Sequence, residues 1–130
     1  GLGDVYKRQL ILWLLLVGII GYYTWNYFAF RRMAKQVDND TFKDLIRQGQ
    51  LIDLREPAAF RTKHILGARN FPAQQFDAAI KGLRKDKPVL IYENMRPQYR
   101  VRAVKKLKKA GFEAIYVLKD GIDYWDGKVK

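Results

Sequence analysis

LIDLREPAAFRTKHILGARNFP, residues 51–72, is the stretch on which the fold turns. Leu51 to Arg55 is a short apolar run closing on charged residues, which suits a strand buried on both faces whose end meets solvent. Pro57 then opens a brief helical turn, because its fixed φ and missing N–H fit the first position of a helix. ARNF, residues 68–71, returns as a second short strand, with Gly67 and Pro72 as turn residues.

The same grammar repeats downstream. VLIYE, residues 89–93, is the most β-prone run in the chain, and a polar turn then leads to a helix from about Pro97 to Ala110 with Gly111 as its C-terminal cap. AIYVL, residues 114–118, is another continuous apolar strand, and GIDYW ends in a short helix or turn holding Trp125. Upstream, VDNDTFKDLIRQGQ spans residues 37–50 and reads as a helix capped near Asp38 to Asp40, stopped by Gly49, with Phe42, Leu45 and Ile46 on its apolar face. Apolar strands alternating with helices predict an α/β domain with a mostly parallel sheet covered on both faces.

Before this domain the chemistry changes. Leu10 to Phe30 carries no charged residue, and at ~1.5 Å rise per residue it reaches about 31 Å, enough for a ~30 Å hydrocarbon core. A belt of Tyr22, Tyr23, Trp25, Tyr27, Phe28 and Phe30 is followed at once by Arg31, Arg32 and Lys35. That order predicts a transmembrane helix over 10–30 whose C-terminal domain faces the cytoplasm. A cleaved signal peptide would have a shorter apolar core and small residues at its end. Residues 1–9, GLGDVYKRQ, are expected to be a cloning or assembly scar or a short N-terminal tail, residues 31–39 a basic juxtamembrane linker, and residues 40–130 the domain.

Composition removes several chemistries. The chain has no cysteine, which excludes disulfides, thiolate metal sites, persulfide carriers and cysteine nucleophiles. With His64 as the single histidine, the usual zinc ligand sets cannot be assembled either, so no metal and no cofactor are expected.

With these pieces in order, the chain resembles the rhodanese-like domain family from about Asp40 to Lys128. Residues 51–72 are similar to the family's succession of strand, Asp-x-Arg, Glu-x-x-x-Phe, His-Ile-x-Gly-Ala and Asn-x-Pro, which here involves Asp53, Arg55, His64, Gly67, Ala68 and Pro72. Residues 89–112 are similar to its strand, active-site loop and following helix, and AIYVLKDGIDYW to its last strand and terminal Trp, here Trp125. The resemblance implies a sulfurtransferase fold of bacterial, membrane-anchored type. It also implies a persulfide-carrying cysteine directly after the strand's Tyr, and that position is Glu93. A carboxylate has no polarisable sulfur to accept a sulfane atom, and the phosphatase chemistry of related proteins uses the same cysteine.

The loop Glu93, Asn94, Met95, Arg96, Pro97, Gln98, Tyr99, Arg100 departs further, lacking the family's Gly and Arg-Ser pair at their usual steps. It is the candidate anion loop. One reading is a remodelled anion pocket closed by an ion pair between Glu93 and Arg96 or Arg100. The plainer reading, adopted as the expectation, is a solvated loop that lost its chemistry. Asp53, Arg55 and His64 are expected to be structural, organising loops rather than reacting.

Charge is the remaining signal, since residues 31–130 hold 23 Lys plus Arg against 12 Asp plus Glu. On the helix from Pro97, Tyr99, Ala103, Leu107 and Ala110 are predicted to face the core, leaving Arg102, Lys105, Lys106, Lys108 and Lys109 outside. For a domain held close to an anionic leaflet, such a face predicts lipid contact as an alternative to plain solvation. Nucleic acid is not expected, because no binding motif is present and the aromatics gather in the apolar segment. The functional expectation is a membrane-tethered, non-sulfurtransferase binding, scaffolding or regulatory module with an unidentified protein partner. The alternatives are an enzyme or sensor using Glu93 and a nearby Arg on a small sulfur- or phosphate-containing anion, and a basic domain docking on anionic lipid.

Overall fold

The computed structural model describes residues 1–130 and divides into two units, Gly1–Arg32 and Met33–Lys130. The first is essentially one helix, α1 (Leu2–Met33), long and apolar enough to cross a membrane and with no buried residue. It is longer than the apolar core of residues 10–30, because neither Lys7 and Arg8 nor Arg31 and Arg32 disfavours helix.

The second unit is a five-stranded, all-parallel sheet with strand order β1-β5-β4-β2-β3. Its elements in chain order are β1 (Lys35–Val37), α2 (Asn39–Ile46), β2 (Gln50–Asp53), α3 (Pro57–Thr62), β3 (Arg69–Asn70), α4 (Phe76–Ala79), β4 (Val89–Tyr92), α5 (Pro97–Lys109) and β5 (Ile115–Leu118). Burial follows position in the sheet. Central β4 is buried at all four residues, whereas edge β3 is exposed or half-buried. A strand covered on both faces needs apolar side chains at every position, and VLIY supplies them.

Strand alternation sends Leu51, Leu90, Tyr92 and Leu118 to one face, where they pack with Phe42, Leu45 and Ile46 of α2 and with Trp125. The Trp125 and Phe42 rings meet edge to face at 5.7 Å. The opposite face is covered by α5, whose buried residues are Ala103, Val104 and Leu107, and by Phe71 and Phe76, whose rings meet at 6.4 Å.

Two sequence expectations are corrected here. The linker expected over 31–39 contains β1, which pairs with β5 in the register Lys35 to Tyr116 and Val37 to Leu118, so the domain begins before residue 40. Three residues are too few for a period to show, and their polar side chains are tolerated because an edge strand is half solvated. On α5, Tyr99 and Ala110 are only half-buried, while Val104 is fully buried. The core-facing stripe is therefore centred on residues 103–107.

Residues 73–82, left unassigned from sequence, form two 3-10 turns flanking the single turn of α4. Such short pieces carry too little period to be read beforehand.

Asp38 caps α2 as expected, its side chain accepting from the Thr41 N–H at 2.9 Å. That hydrogen bond holds the Asp38 carboxyl below its usual value. Gly49 has another role than the expected helix stop. Helix α2 already ends at Ile46, and a Cβ on Gly49 would strike the buried Leu90 side chain and approach the Pro88 carbonyl to 3.0 Å. Gly49→Ala should therefore destabilise the domain by about 1–3 kcal/mol through overpacking, read as a lowered denaturation midpoint with an unchanged denaturant slope.

Candidate functional site

The C-terminal edge of a parallel sheet is where open α/β folds gather their functional groups, and here two ion pairs stand there. Asp53 and Tyr92 are register partners on β2 and β4, so the residues after each strand emerge side by side. Asp53 is fully buried, and Arg55 reaches back to clasp it, Nη2 donating to Oδ2 at 2.9 Å and Nε to Oδ1 at 3.2 Å. Arg55 also donates to the Lys63 carbonyl. Asn70 adds a clamp, its amide donating to the carbonyls of Asp53 at 3.3 Å and Arg55 at 2.9 Å.

Between these loops lies the Tyr92 hydroxyl, which accepts from the Ile65 N–H at 3.1 Å. Burial, and next the charge of Asp53, pushes the Tyr92 phenol far above its ordinary range, so it stays protonated. His64 is held by its immediate neighbours. Its ring stacks on Phe60 at 3.9 Å, Nδ1 lies 2.8 Å from the Phe60 carbonyl, and its backbone pairs with Lys130. Gly67, at φ +90°, makes the turn between Ile65 and Ala68, and Pro72 is buried before the 3-10 turn. None of these groups is arranged as a nucleophile with a base.

The second pair replaces the expected solvated loop. Glu93 is fully buried directly after β4. Its Oε2 accepts from the Arg96 backbone N–H at 2.6 Å, and Arg100 Nη2 stands 2.8 Å from Oε1. The latter is an ion contact without hydrogen-bond alignment, and Arg100 Nε has no partner. Arg100 sits one helical turn into α5, where its side chain is 13% exposed, so the charge is compensated from within the fold. Solvation would have left both groups outside. Burial demands a partner instead.

The helix start explains the geometry. Helix α5 begins at Pro97, and its N-cap residue Arg96 offers no side-chain cap. The N–H groups of a first turn lack intrahelical acceptors and carry partial positive charge. Glu93 supplies both an acceptor and a negative charge from three residues upstream. The short return requires Met95 to adopt φ +56°, and its side chain is left 71% exposed at the loop tip. The Arg96 side chain turns away to donate to the Tyr99 hydroxyl at 3.1 Å, so Arg100 is the partner of the two candidates.

Outside the sealed carboxylate, a cleft of about 170 Å³ is lined by Arg55, Glu56, Ala59, Asn94, Arg96 and Tyr99. Pro97 and Gln98 are exposed at the start of α5. Among candidate residues the structure thus groups Glu93, Arg96 and Arg100 on one side and Asp53 and Arg55 on the other. Arg102, Lys105, Lys106, Lys108 and Lys109 lie further along α5 and take no part.

Two contributors were missed from sequence, Tyr92 and Asn70, whereas Gly121 was read there as a turn residue. A short strand ending in Tyr gives no sign of the hydroxyl's partner 27 residues away, although the Asn70-x-Pro72 spacing hinted at the clamp. Gly121, at φ +73°, lets Ile122 donate to the Glu93 carbonyl at 3.2 Å.

The family profile for the rhodanese-like domain matches residues 38–128. The uncharacterized protein YqhL of Bacillus subtilis is 37% identical over 124 residues, covering 94% of this chain and 96% of its own length. The uncharacterized protein YibN of Escherichia coli is 36% identical over 81 residues, covering 60% of this chain and 56% of its own. Among solved structures, the rhodanese-like domain of an Anabaena protein superposes with a TM-score of 0.64 at 26% identity, covering 73% of this chain and 77% of that one.

The loop closure is open to a direct check. A Cβ on Gly121 would lie 2.7 Å from the Glu93 carbonyl oxygen, so Gly121→Ala combines a forbidden contact with an unfavourable φ. It should cost about 1–3 kcal/mol. Tyr92→Phe leaves the Ile65 N–H buried without an acceptor and should cost about 1–3 kcal/mol. Denaturant unfolding measures both.

Proposed function

The chain belongs to the rhodanese-like domain family, and on that premise we propose that it is a member without sulfur transfer, serving as a membrane-tethered binding or scaffolding module. The observation that carries this is the state of Glu93. Sulfur transfer needs a thiolate held at the helix start, and the chain has no cysteine. The position is also filled: a buried carboxylate accepts the Arg96 N–H and is neutralised by Arg100.

An incoming anion would have to displace that carboxylate from the field that holds it. The reading of Glu93 as a group acting on a small sulfur- or phosphate-containing anion therefore has less support. What the closed loop offers a partner is a fixed surface, in which Asp53, Arg55, Asn70 and Glu93 hold the sheet-edge loops in one arrangement.

The tether is α1, whose apolar length matches a bilayer. The cluster Arg31, Arg32 and Lys35 follows the span, and excess Lys and Arg marks the cytoplasmic side, which would put the domain in the cytoplasm. The bacterial assignment is supported by relatives from Bacillus and Escherichia.

The test is an assay of the full chain in detergent with thiosulfate and cyanide. Thiocyanate formation should equal that of a protein-free blank, and turnover above the blank overturns the reading. A companion thermal-shift series with millimolar thiosulfate, sulfate and phosphate should leave the midpoint unmoved. A rise abolished by Glu93→Gln would instead favour the anion-handling alternative.

A further inference from the structure

Helix α5 carries two faces of opposite character. At roughly 100° per residue, its buried residues Ala103, Val104 and Leu107 occupy one arc, Arg102, Lys105 and Lys109 occupy the arc directly opposite, and the half-buried Lys106 lies on the flank. Of these four cations only Lys106 has an acidic partner, Asp77 on α4 at 3.2 Å. Arg102, Lys105 and Lys109 are exposed, with no salt bridge.

The surface continues past the helix. Lys85 lies against Gly111, its Nζ 3.5 Å from that residue's Cβ position, and Lys108 donates to the Glu113 carbonyl at 3.1 Å. The acidic groups nearby are Asp77 and Asp86, already engaged by Lys106 and Arg84, and the exposed side chain of Glu113. A concentration of cations on one helix face with so little counter-charge is held against mutual repulsion, and an anionic surface relieves it. The Arg102, Lys105 and Lys109 arc itself carries no apolar residue, Val101 beside it being half-buried, so what it offers a partner is charge rather than an apolar anchor.

We infer that the Arg102, Lys105 and Lys109 face of α5 docks on the anionic headgroups of the bilayer that α1 spans, which rests on the tethered reading above. A single residue, Ala34, separates α1 from β1, so the effective concentration of leaflet around the domain is high and a few cations suffice. Docking would fix the orientation of the closed sheet-edge loops relative to the membrane. It is reversible, because charge–charge attraction of this kind is screened by salt.

The absence of native cysteine makes single-thiol reporters clean. Gln98→Cys places a thiol on the cationic stripe without removing a charge, and Asp44→Cys places one on α2, which packs with the other sheet face. Both full-length variants are reconstituted in phosphatidylcholine nanodiscs with and without a quarter phosphatidylglycerol, and maleimide labelling rates are compared. Docking predicts labelling at residue 98 slowed at least about tenfold by phosphatidylglycerol, restored by 0.5 M KCl, and unchanged at residue 44. Arg102→Ser, Lys105→Ser and Lys109→Ser together should abolish the slowing, as three cations are worth on the order of 100-fold.

Equal rates in both discs overturn the inference while leaving the tether intact. Protection by duplex RNA in neutral discs as strong as that by phosphatidylglycerol overturns the lipid assignment. Should the chain wash out of membranes in alkaline carbonate, the tether fails by itself. Salt-reversible cosedimentation of the chain with phosphatidylglycerol vesicles then decides the docking face, its absence refuting it.

Discussion

A carboxylate with no solvent-exposed surface, placed at the head of a helix, must be either neutralised or satisfied, and the loop after β4 is built around meeting that demand for Glu93. The Arg96 N–H satisfies one oxygen and the Arg100 guanidinium stands against the other. Removing either partner would strand a charge in a low-dielectric site, which costs far more than the pair gains relative to an apolar replacement. The pair is therefore a specifying device: it defines one loop conformation, with Met95 in the left-handed region and Gly121 pressed against the Glu93 carbonyl, and penalises the others.

The pair sits within a wider arrangement that fixes the same edge. Asp53 and Arg55 form a parallel clasp on the neighbouring strand, Asn70 ties both of their carbonyls, and Tyr92 bridges to Ile65 beneath them. Each group is buried or half-buried and each has a partner inside the domain. A sheet edge that in open α/β folds receives ligands is in this chain largely occupied by its own side chains. That is the physical ground for reading the domain as a surface to be bound rather than a site that turns over.

Much of this was legible in the sequence, for identifiable reasons. Runs such as VLIY and IYVL, short and rich in β-branched and aromatic residues, favour a buried strand over a helix, and Pro57, Pro97, Asp38 and Gly111 mark helix ends through local chemistry alone. The departure at Glu93 was equally visible, because a missing cysteine is a fact about composition. What escaped was everything set by distant contacts. The strand at Lys35–Val37 exists because β5 offers it an open edge, and Gly49 matters because Leu90 comes to lie on it. A charged loop residue reads as solvated until the fold shows a partner three or seven positions on. Arg96 and Arg100 were equal candidates until helix α5 pointed one inward and left the other to Tyr99.

The central claim is that Glu93 and Arg100 act as a buried, mutually dependent pair, and a double-mutant cycle addresses it most directly. Glu93→Met, Arg100→Met and the double variant would be unfolded by denaturant in detergent alongside the parent chain. Arg100→Met alone should lose about 3–5 kcal/mol, and the double variant should recover most of it, giving a coupling energy of at least about 2 kcal/mol. Losses that simply add, to within about 0.5 kcal/mol, would show the two side chains to be independent and contradict the account.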